Sequence, residues 1–271
     1  MKNKKALITI VFACLISFSL KAQTQAVETQ VASAEDLAKQ LANPVAALIS
    51  LPLQNNFDFN VGPLDGFKYT LNIQPVIPVS IHEKWNMISR TIIPVISQSD
   101  VTAIGSNKSG LGDIFQSIFF SPKEVKNGLV WGLGPILLLP TATNDAFGAK
   151  KWGAGPNGLI LKLKGQWTYG ALVNHTWSYA GNGLNDINAS FFQPFATYAS
   201  KTGASVTVAS ENTQSWNNDI FSGFAGVFYS KVVTFGKQMM QLGGGPKVFY
   251  GNNPFNPDWG IRANIILLFP K

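Results

Sequence analysis

Segments of alternating polar and apolar residues recur along most of the 271-residue chain, and they limit its fold more than any other feature. The clearest is GQWTYGALVNHTWSYAG (165–181), whose odd-numbered residues from Trp167 to Tyr179 are aromatic or aliphatic, with His175 as the exception. Because successive residues of a β-strand point to opposite faces, this segment predicts a strand with one apolar and one mostly polar face. The same pattern predicts about twelve strands, with no helix-period segment between them. They are 50–61, 67–79, 85–97, 110–121, 128–139, 155–163, 167–179, 187–199, 203–211, 221–233, 237–249 and 259–269.

The number of these segments and the connections between them favour a membrane barrel over a soluble β-sandwich. An even strand number is usual in single-chain outer-membrane barrels, and most segments have the roughly 9–11 residues with which a tilted strand crosses a bilayer. Longer connections alternate with shorter ones, apart from a short first loop, as outer loops alternate with periplasmic turns in such barrels. The longer set is 62–66, 98–109, 140–154, 180–186, 212–220 and 250–258, and the shorter set is 80–84, 122–127, 164–166, 200–202 and 234–236. The predicted fold is therefore all-β, a transmembrane antiparallel β-barrel of about twelve strands in the outer membrane of a Gram-negative bacterium.

The apolar face of residues 167–179 carries aromatic residues at both ends and small aliphatic residues between them. In an outer-membrane barrel, the outward face is an apolar band flanked by two aromatic girdles. We therefore expect Trp167 and Tyr169 to lie in the lower girdle, and Trp177 and Tyr179 to lie in the upper one.

Residues 1–22 have the composition of a secretory signal peptide, with a basic start, an apolar stretch and a candidate cleavage site before Gln23. A lipoprotein signal is the alternative, because the residues up to Cys14 loosely resemble a lipobox. Cleavage before Gln23 would remove the only cysteine and lower the net charge from +7 to +3. This small charge gives no reason to expect nucleic-acid binding.

The next segment is polar, rich in Gln, Thr and Ala, and it leads into a short predicted helix at 33–43 that Ser33 can cap. The helix is a candidate plug for the barrel. The predicted division of the chain is a signal peptide at 1–22, a polar segment with the helix at 23–45, and the barrel at 46–271.

Charged side chains in the predicted strands are assigned to the inward face, because a charge on the lipid face costs a few kcal/mol near the bilayer midplane. Two interpretations stay open. One is a cationic lumen that favours anions, as rings of Lys and Arg do, and the other is a salt-bridged wall that only holds the barrel open or packs the helix. The predicted lumen-lining residues are Lys68, Arg90, Lys162, Lys247 and Arg262, with Asp58 as a counter-charge and Asn72 on the face of Lys68.

Three stretches depart from simple alternation. Predicted strands 85–97 and 128–139 are largely apolar on both faces, so part of the interior is expected to be apolar or packed by a helix. Near Asp113, an inward carboxylate would point Gln116 outward, which a β-bulge or a wrong register would explain. Asp113 itself is expected to cap a strand end or pair with a rim lysine rather than bind calcium.

No catalytic residue, metal site or cofactor is predicted. Residues 153–158 match the spacing G-x-G-x-x-G, but a dinucleotide site needs a strand before it and a helix after it, so a loop-to-strand entry is preferred. The two histidines, His82 and His175, do not form a metal-binding pair with each other, and no cysteine accompanies them. A hydrolase would need a serine on the face of His175, and Ser178, the nearest on that strand, has the opposite parity.

Several long blocks of the sequence carry a resemblance to a known family. They are LANPVAALISLPLQNNFDFNVGP (41–63), YTLNIQPVIPVS (69–80), WNMISRTIIPVI (85–96), SGLGDIFQSIFFSPK (109–123), WGLGPILLLPTAT (131–143), KWGAGP (151–156), WTYGALVNHTWSYAG (167–181), QPFATY (193–198) and WGIRANIILLFPK (259–271). With these blocks the chain resembles predicted outer-membrane proteins grouped as "MetA pathway of phenol degradation", whose members are labelled transporters or mislabelled neuromedin U. The resemblance implies an outer-membrane β-barrel with a transport role, without a catalytic motif and without a defined substrate.

The expected function is passive transport of small solutes, with aromatic or anionic metabolites as candidates. The alternatives are a closed barrel with a structural or surface-interaction role, and a membrane-embedded lipid hydrolase. Expected partners are the lipid bilayer, lipopolysaccharide, the barrel-assembly machinery and a small-molecule solute. We expect no nucleic-acid partner and a monomeric protein.

Overall fold

The computed structural model describes residues 33–269, so the predicted signal peptide and the polar residues 23–32 lie outside the described residues. Residues 33–269 form one α-helix, fourteen β-strands and two short 3-10 helices, Gly62–Leu64 and Asp145–Phe147. The helix is α1 (Ala34–Leu41). The strands are β1 (Ile49–Val61), β2 (Gly66–Ile73), β3 (Val76–His82), β4 (Trp85–Ser99), β5 (Asn107–Leu111), β6 (Ile114–Pro122), β7 (Leu129–Leu139), β8 (Lys151–Lys164), β9 (Trp167–Gly181), β10 (Asn188–Ala199), β11 (Ala204–Ser215), β12 (Ile220–Phe235), β13 (Gln238–Gly251) and β14 (Trp259–Phe269). Within this part of the chain, no helix is long and apolar enough to cross a bilayer.

The strands form one closed antiparallel sheet. Strand β14 closes the ring on β1 through a ladder that runs from the pair Ile49–Phe269 to the pair Phe59–Trp259. Segments β2 and β3 together make one strand of the wall, and β5 and β6 together make another. In each case a short irregular stretch separates two segments that pair with β4 one after the other. The fourteen segments therefore form a barrel of twelve strands, which confirms the predicted fold class.

The two ends of the barrel differ in the length of their connections. At one end, here called the turn end, only two residues separate β3 from β4 and β8 from β9. At the other, here called the loop end, β7 and β8 are joined by residues 140–150, and β13 and β14 by residues 252–258. Most loop-end connections are longer than the turns beside them, as predicted, but the connection 216–219 between β11 and β12 is only as long as the turn 200–203 before it.

The loop-end connections are generally shorter than predicted, as two of them illustrate. Strand β8 begins at Lys151 and β11 continues to Ser215, so parts of the loops expected at 140–154 and 212–220 are strand. The end of β11 is polar, but it pairs along its whole length with β10 and β12. A polar stretch can remain strand here because its backbone is paired on both sides.

Strand β9 shows how alternation is used in the wall. Its inward residues Thr168 and Leu172 are 2% and 3% exposed, whereas its outward residues Trp167 and Trp177 are 51% and 48% exposed. The outward side chains of neighbouring strands are similarly exposed and largely apolar, with Ile160 at 55%. This gives the outer surface the apolar band of a barrel surrounded by lipid.

Aromatic side chains gather on the outer surface near both ends. At the turn end, the ring centroids of Trp85 and Trp131 are 5.6 Å apart. At the loop end, Phe59 stacks on Trp259 at 4.4 Å. The residues of β9 predicted for the two girdles, Trp167, Tyr169, Trp177 and Tyr179, all lie on the outer face.

Part of the interior is a packed hydrophobic core rather than an open lumen. It explains why predicted strands 85–97 and 128–139 are apolar on both faces, since one face meets this core and the other faces outward. Val130 is 5% exposed and Leu133 is 58% exposed on the same strand. The buried residues of the core are Val45, Ile88, Phe119, Val130, Leu159, Leu161 and Leu172.

Gly–Pro pairs interrupt the ladders of the wall at three positions, 134–135, 155–156 and 245–246. Proline has no N–H to donate, and pairing is lost locally without a change of register. A Cβ atom on Gly155 would lie 1.7 Å from the carbonyl oxygen of His175. Glycine is therefore required there because the facing backbone occupies the space of a side chain.

The extent of β8 corrects the prediction for residues 153–158. All six residues lie inside β8, so this stretch is not the predicted loop-to-strand entry. The two inward glycines instead allow close backbone packing against β7 and β9, since a Cβ on Gly153 would meet Thr176 at 2.8 Å.

The pairing with β4 changes register by one residue between the pairs Val95–Leu111 and Ile92–Phe115, so the irregularity expected near Asp113 lies where β5 passes into β6. Asp113 is 8% exposed and points inward, whereas Gln116 points outward and the β4–β6 register around it is regular. Thr91 donates to the Gln116 Oε1 at 2.6 Å, and the Gln116 Nε2 donates to Ser89 at 3.0 Å. Hydroxyl groups on the neighbouring strand therefore satisfy the outward amide.

Candidate solute pathway inside the barrel

Helix α1 lies against the inner side of β10, β11 and β12, close to the turn end. Its start is fixed by Ser33, whose hydroxyl accepts a hydrogen bond from the backbone N–H of Asp36 at 3.1 Å. Leu37 and Ala38 are each 1% exposed. The narrow apolar face of this short helix is therefore covered by the barrel wall, as a plug requires.

The chain between α1 and β1 also fills the interior. Val45 is 5% exposed and belongs to the hydrophobic core, and Leu48 is 6% exposed. The side chain of Asn43 accepts a hydrogen bond from the backbone N–H of Val45 at 3.1 Å, which fixes the turn after the helix. Residues 33–48 thus form one continuous insert, here called the N-terminal insert.

Two cavities lie inside the barrel. The one towards the loop end has a volume of about 710 Å3, and the one beside α1 has a volume of about 250 Å3. Four polar side chains line both cavities and form a layer between them, here called the polar belt. They are Gln54, Gln74, Arg90 and Gln193.

The loop-end cavity has largely apolar walls above the polar belt. A pocket of this size can enclose a small organic molecule. Its apolar lining comes from Ile92, Pro94, Phe115, Ile136, Leu138, Leu172 and Phe191, and its polar lining beyond the belt includes Asn72, Asn174, Thr176, Glu211 and Thr213.

Asp113 fixes the loop 140–150, which contributes Phe147 to the lining of the cavity. Its carboxylate accepts hydrogen bonds from the backbone N–H groups of Ala142 at 3.0 Å and Ala149 at 2.7 Å. Asp113 therefore acts as a cap where β6 begins. Among the described residues, no group of three or more His, Cys, Asp or Glu could hold a metal ion.

An ion pair at the rim fixes the loop between β9 and β10. Lys151 Nζ lies 2.8 Å from Asp186, and Ser178 donates to the same carboxylate at 3.2 Å. The hydrogen bond from Lys151, together with its charge, holds the pKa of Asp186 below its usual value. The next residue, Ile187, lines the cavity.

Buried ion pairs cross the wall formed by β1 and β11–β14. Lys247 Nζ lies 2.7 Å from Asp58, and Arg262 Nη1 lies 2.8 Å from Glu211. Asn56 links the two pairs, because its Oδ1 accepts from Lys247 at 3.1 Å and from Arg262 at 2.9 Å.

Aromatic rings cover these two cations. Lys247 Nζ lies 5.0 Å from the ring centroid of Phe224, and Arg262 Cζ lies 4.8 Å from the same centroid. Phe249 and Phe228 complete the enclosure at 4.9 and 5.2 Å. Lys247, Arg262 and Asp58 therefore form a salt-bridged wall, which is one of the two interpretations left open by the sequence.

Arg90 differs from these cations. It lies in the polar belt, between Val76 on β3 and Ser117 on β6, and it lines both cavities. Its Nη2 donates to Gln74 Oε1 at 2.8 Å. Within residues 33–269, no carboxylate lies within 4.0 Å of its guanidinium. Arg90 is thus the cation that the cavities can present to a solute.

Lys68 and Asn72 lie on the inward face of β2 but have different surroundings. Lys68 is directly opposite Asp58 in the β1–β2 ladder and lines neither of the two cavities. Asn72 lines the loop-end cavity and donates to Gln54 Oε1 at 3.3 Å.

Lys162 does not lie on the predicted inward face. On β8, Leu161 is 1% exposed and inward, so Lys162 points outward and is paired with Tyr169 on β9. Its ammonium group donates to the backbone carbonyl of Asn127 in the turn between β6 and β7. A lysine near a strand end can face outward because its long side chain reaches the polar interface.

Glu211, Gln74 and Gln193 are site residues that the sequence analysis did not single out. Each points inward, and strand parity alone could have identified them. Glu211 is the last residue of predicted strand 203–211, where a loop was expected to begin.

His175 has a serine partner on the adjacent strand. Its Nδ1 lies 2.8 Å from the Oγ of Ser190, which is directly opposite on β10. The indole N–H of Trp216 donates to the same hydroxyl at 2.9 Å. This pair was not predicted, because Ser190 is on another strand and only Ser178 is near His175 in the sequence. The indole N–H occupies a lone pair of the hydroxyl oxygen with which a nucleophile would attack, so the three side chains form a hydrogen-bonded cluster between β9, β10 and the end of β11.

Comparisons with known proteins support the architecture. No family model matches this chain, and no curated protein matches it. The fold is shared with an outer membrane channel from Pseudomonas putida F1, for which a crystal structure is known. The two chains have 13% sequence identity and a TM-score of 0.65, over 82% of this chain and 96% of the channel.

Proposed function

We propose that this protein is an outer-membrane channel for the passive transport of small solutes. The observation that carries the proposal is the loop-end cavity of about 710 Å3, which shares the four side chains of the polar belt with a second cavity beside the N-terminal insert. The apolar outer band, the aromatic girdles and the channel fold of the Pseudomonas protein support the location and the role. Membership of the MetA-like family, a monomeric state, contacts with lipopolysaccharide and assembly by the barrel-assembly machinery belong to the same proposal.

The interior favours anionic or aromatic solutes. Two of its cations, Lys247 and Arg262, are neutralised by carboxylates, whereas Arg90 faces the cavities without one among the described residues. The walls above Arg90 are apolar. A positive group in a narrow pathway attracts anions, and apolar walls stabilise aromatic or aliphatic parts of a solute.

Conductance measurements test the channel. Residues 23–271 would be refolded into planar bilayers and compared with a deletion of residues 23–44 and with a control deletion of residues 23–32, which keeps α1. We expect a steady small current from the full form and the control, and a several-fold larger current when α1 is removed. A salt gradient should give a reversal potential of anion-selective sign, and clear cation selectivity would contradict the solute preference.

A closed barrel with a structural or surface-interaction role is the second candidate. The observation that favours it is the packed core, in which Val45 of the N-terminal insert meets Ile88 and Phe119 at 0% exposure. A correctly folded barrel that conducts in none of the three forms would replace the channel with this function.

A further inference from the structure

The loop-end cavity has the guanidinium of Arg90 at one end, the carboxylates of Asp113 and Glu211 elsewhere in its lining, and mainly apolar surface between them. Arg90 stands in the polar belt at the boundary between the hydrophobic core and this cavity, because Ile88 precedes it and Ile92 follows it on the inward face of β4. Phe115 and Phe191 line the cavity from β6 and β10. A ligand whose charged group lies on this guanidinium would therefore find aromatic and aliphatic surface beside it for an apolar part.

The hydrogen-bonding capacity of Arg90 is mostly unused. A guanidinium has five N–H donors in a planar fork that matches a carboxylate. The hydrogen bond from Arg90 goes to the neutral Gln74 at 2.8 Å, whereas Arg262 has both Glu211 and Asn56. Glu211 Oε1 already accepts from Arg262 at 2.8 Å and from Gln193 at 3.3 Å, so this carboxylate is engaged elsewhere.

The carboxylates of the cavity limit the charge of the ligand. Glu211 and Asp113 both line it, and Asp113 is held by two backbone N–H groups of the loop 140–150. Both carboxylates would repel a second negative group on the ligand. One guanidinium without an ion pair within 4.0 Å therefore suits one carboxylate and disfavours a dicarboxylate.

We infer that the loop-end cavity is a binding site for a small aromatic monocarboxylate, with its carboxylate on Arg90 and its ring among Phe115, Phe191 and Ile92. Gln74 holds the guanidinium in place from the side of β3. The inference deepens the proposed channel function, because it gives the pathway a saturable site for one class of solute.

Calorimetric titration of refolded residues 23–271 in detergent tests the site. Benzoate is the probe, benzyl alcohol is the uncharged analogue of similar size, and phthalate is the dicarboxylate. We expect one benzoate per chain, with benzyl alcohol and phthalate at least about tenfold weaker, as expected when a charged hydrogen-bonded pair is lost or a repulsive charge is added.

The substitution Arg90→Gln should weaken benzoate binding at least about tenfold and leave benzyl alcohol binding unchanged, while Arg90→Lys should keep part of the benzoate affinity. Lys162→Gln is the matched control, since it removes one positive charge from the outer face. Heat-modifiable migration in gels verifies that each variant is folded.

Unchanged benzoate affinity in folded Arg90→Gln, or no saturable benzoate binding to the folded wild-type barrel, would overturn the site. Conductance of the same preparations separates this outcome from failure of the proposed function. A barrel that conducts without binding benzoate loses only the site, and a barrel that binds benzoate without conducting loses only the channel.

Discussion

At the scale of single residues, the interior uses polar side chains in two contrasting ways. Asn56 is 4% exposed and its carbonyl oxygen accepts hydrogen bonds from both Lys247 and Arg262. Asn157 on β8 is 3% exposed, and neither its Nδ2 nor its Oδ1 has a partner among the described residues. The first amide stabilises the barrel through charged neighbours, whereas the second is buried at a cost.

The same substitution at these two positions should therefore have opposite effects. We expect Asn157→Leu to raise the free energy of unfolding by about 1–2 kcal/mol, because it removes a buried amide without partners. Asn56→Leu should lower it by about 2–3 kcal/mol, because two buried cations each lose a hydrogen bond. Urea unfolding in detergent, followed by tryptophan fluorescence, measures both, and a loss of stability in Asn157→Leu would contradict the assignment.

The buried ion pairs add a second test at this scale. Lys247→Met leaves the carboxylate of Asp58, whose side chain is 11% exposed, without its partner at 2.7 Å. We expect a loss of about 3–5 kcal/mol, as for other buried pairs that lose one member. The double variant Lys247→Met with Asp58→Asn should recover a large part of this loss, and an equal loss in both variants would show that the pair is not coupled.

At the scale of elements, glycine determines where the strands can approach each other. Gly155 precedes Pro156 in β8, and the carbonyl of His175 occupies the place of its missing side chain. Gly158 lies on the outward face of the same strand, and a Cβ atom there would meet the side-chain Cδ2 of Leu133 first, at 3.1 Å. A flexible side chain can move aside, whereas the backbone of a paired strand cannot do so without breaking the ladder.

Gly155→Ala should therefore impair folding, and Gly158→Ala should be tolerated. We expect the folded fraction of Gly155→Ala after refolding to fall several-fold, measured as the heat-modifiable band in a gel. Equal folded fractions for the two variants would mean that the wall adjusts at Gly155.

Much of the wall could be predicted from the sequence because strand alternation is a local property. The faces of β9 and β14 follow from parity alone, and so do the inward positions of Asp58, Arg90 and Arg262. The position of Lys162 was wrong because the parity of β8 was assigned from its charge instead of from Leu159 and Leu161. The pairs Lys247–Asp58 and Arg262–Glu211 could not be predicted, since they join residues far apart in the chain.

At the scale of the whole molecule, the two ends carry opposite charges. Exposed lysines gather at the turn end and exposed aspartates at the loop end. The exposed lysines at the turn end outnumber the exposed acids there, Glu83 and Glu124, and the exposed aspartates at the loop end outnumber the exposed Lys150. The lysines are Lys84, Lys123, Lys126, Lys164, Lys201 and Lys237, and the aspartates are Asp65, Asp145, Asp186, Asp219 and Asp258. Because short turns face the periplasm in outer-membrane barrels, the basic end would meet the phospholipid leaflet and the acidic end the cell exterior.

Cysteine labelling in whole cells tests this orientation. Asn218→Cys places a thiol in the exposed connection between β11 and β12 at the loop end, and Lys201→Cys places one in the turn between β10 and β11. A membrane-impermeant maleimide should label the first variant in intact cells and the second only after the outer membrane is opened. The reverse pattern would invert the proposed orientation.

The sequence by itself determined the class of the fold, the number of strands, the end of the barrel that carries most of the longer connections, and the short helix, because each depends on residues close together in the chain. Only the tertiary structure decided which interior cations are paired with carboxylates and which face the cavities with a neutral partner. Closing β14 on β1 brings Asn56 between Lys247 and Arg262, and the N-terminal insert fills the core beside Ile88. Arg90 remains between the two cavities with a neutral partner, and that difference depends on contacts between distant segments that strand periodicity does not encode.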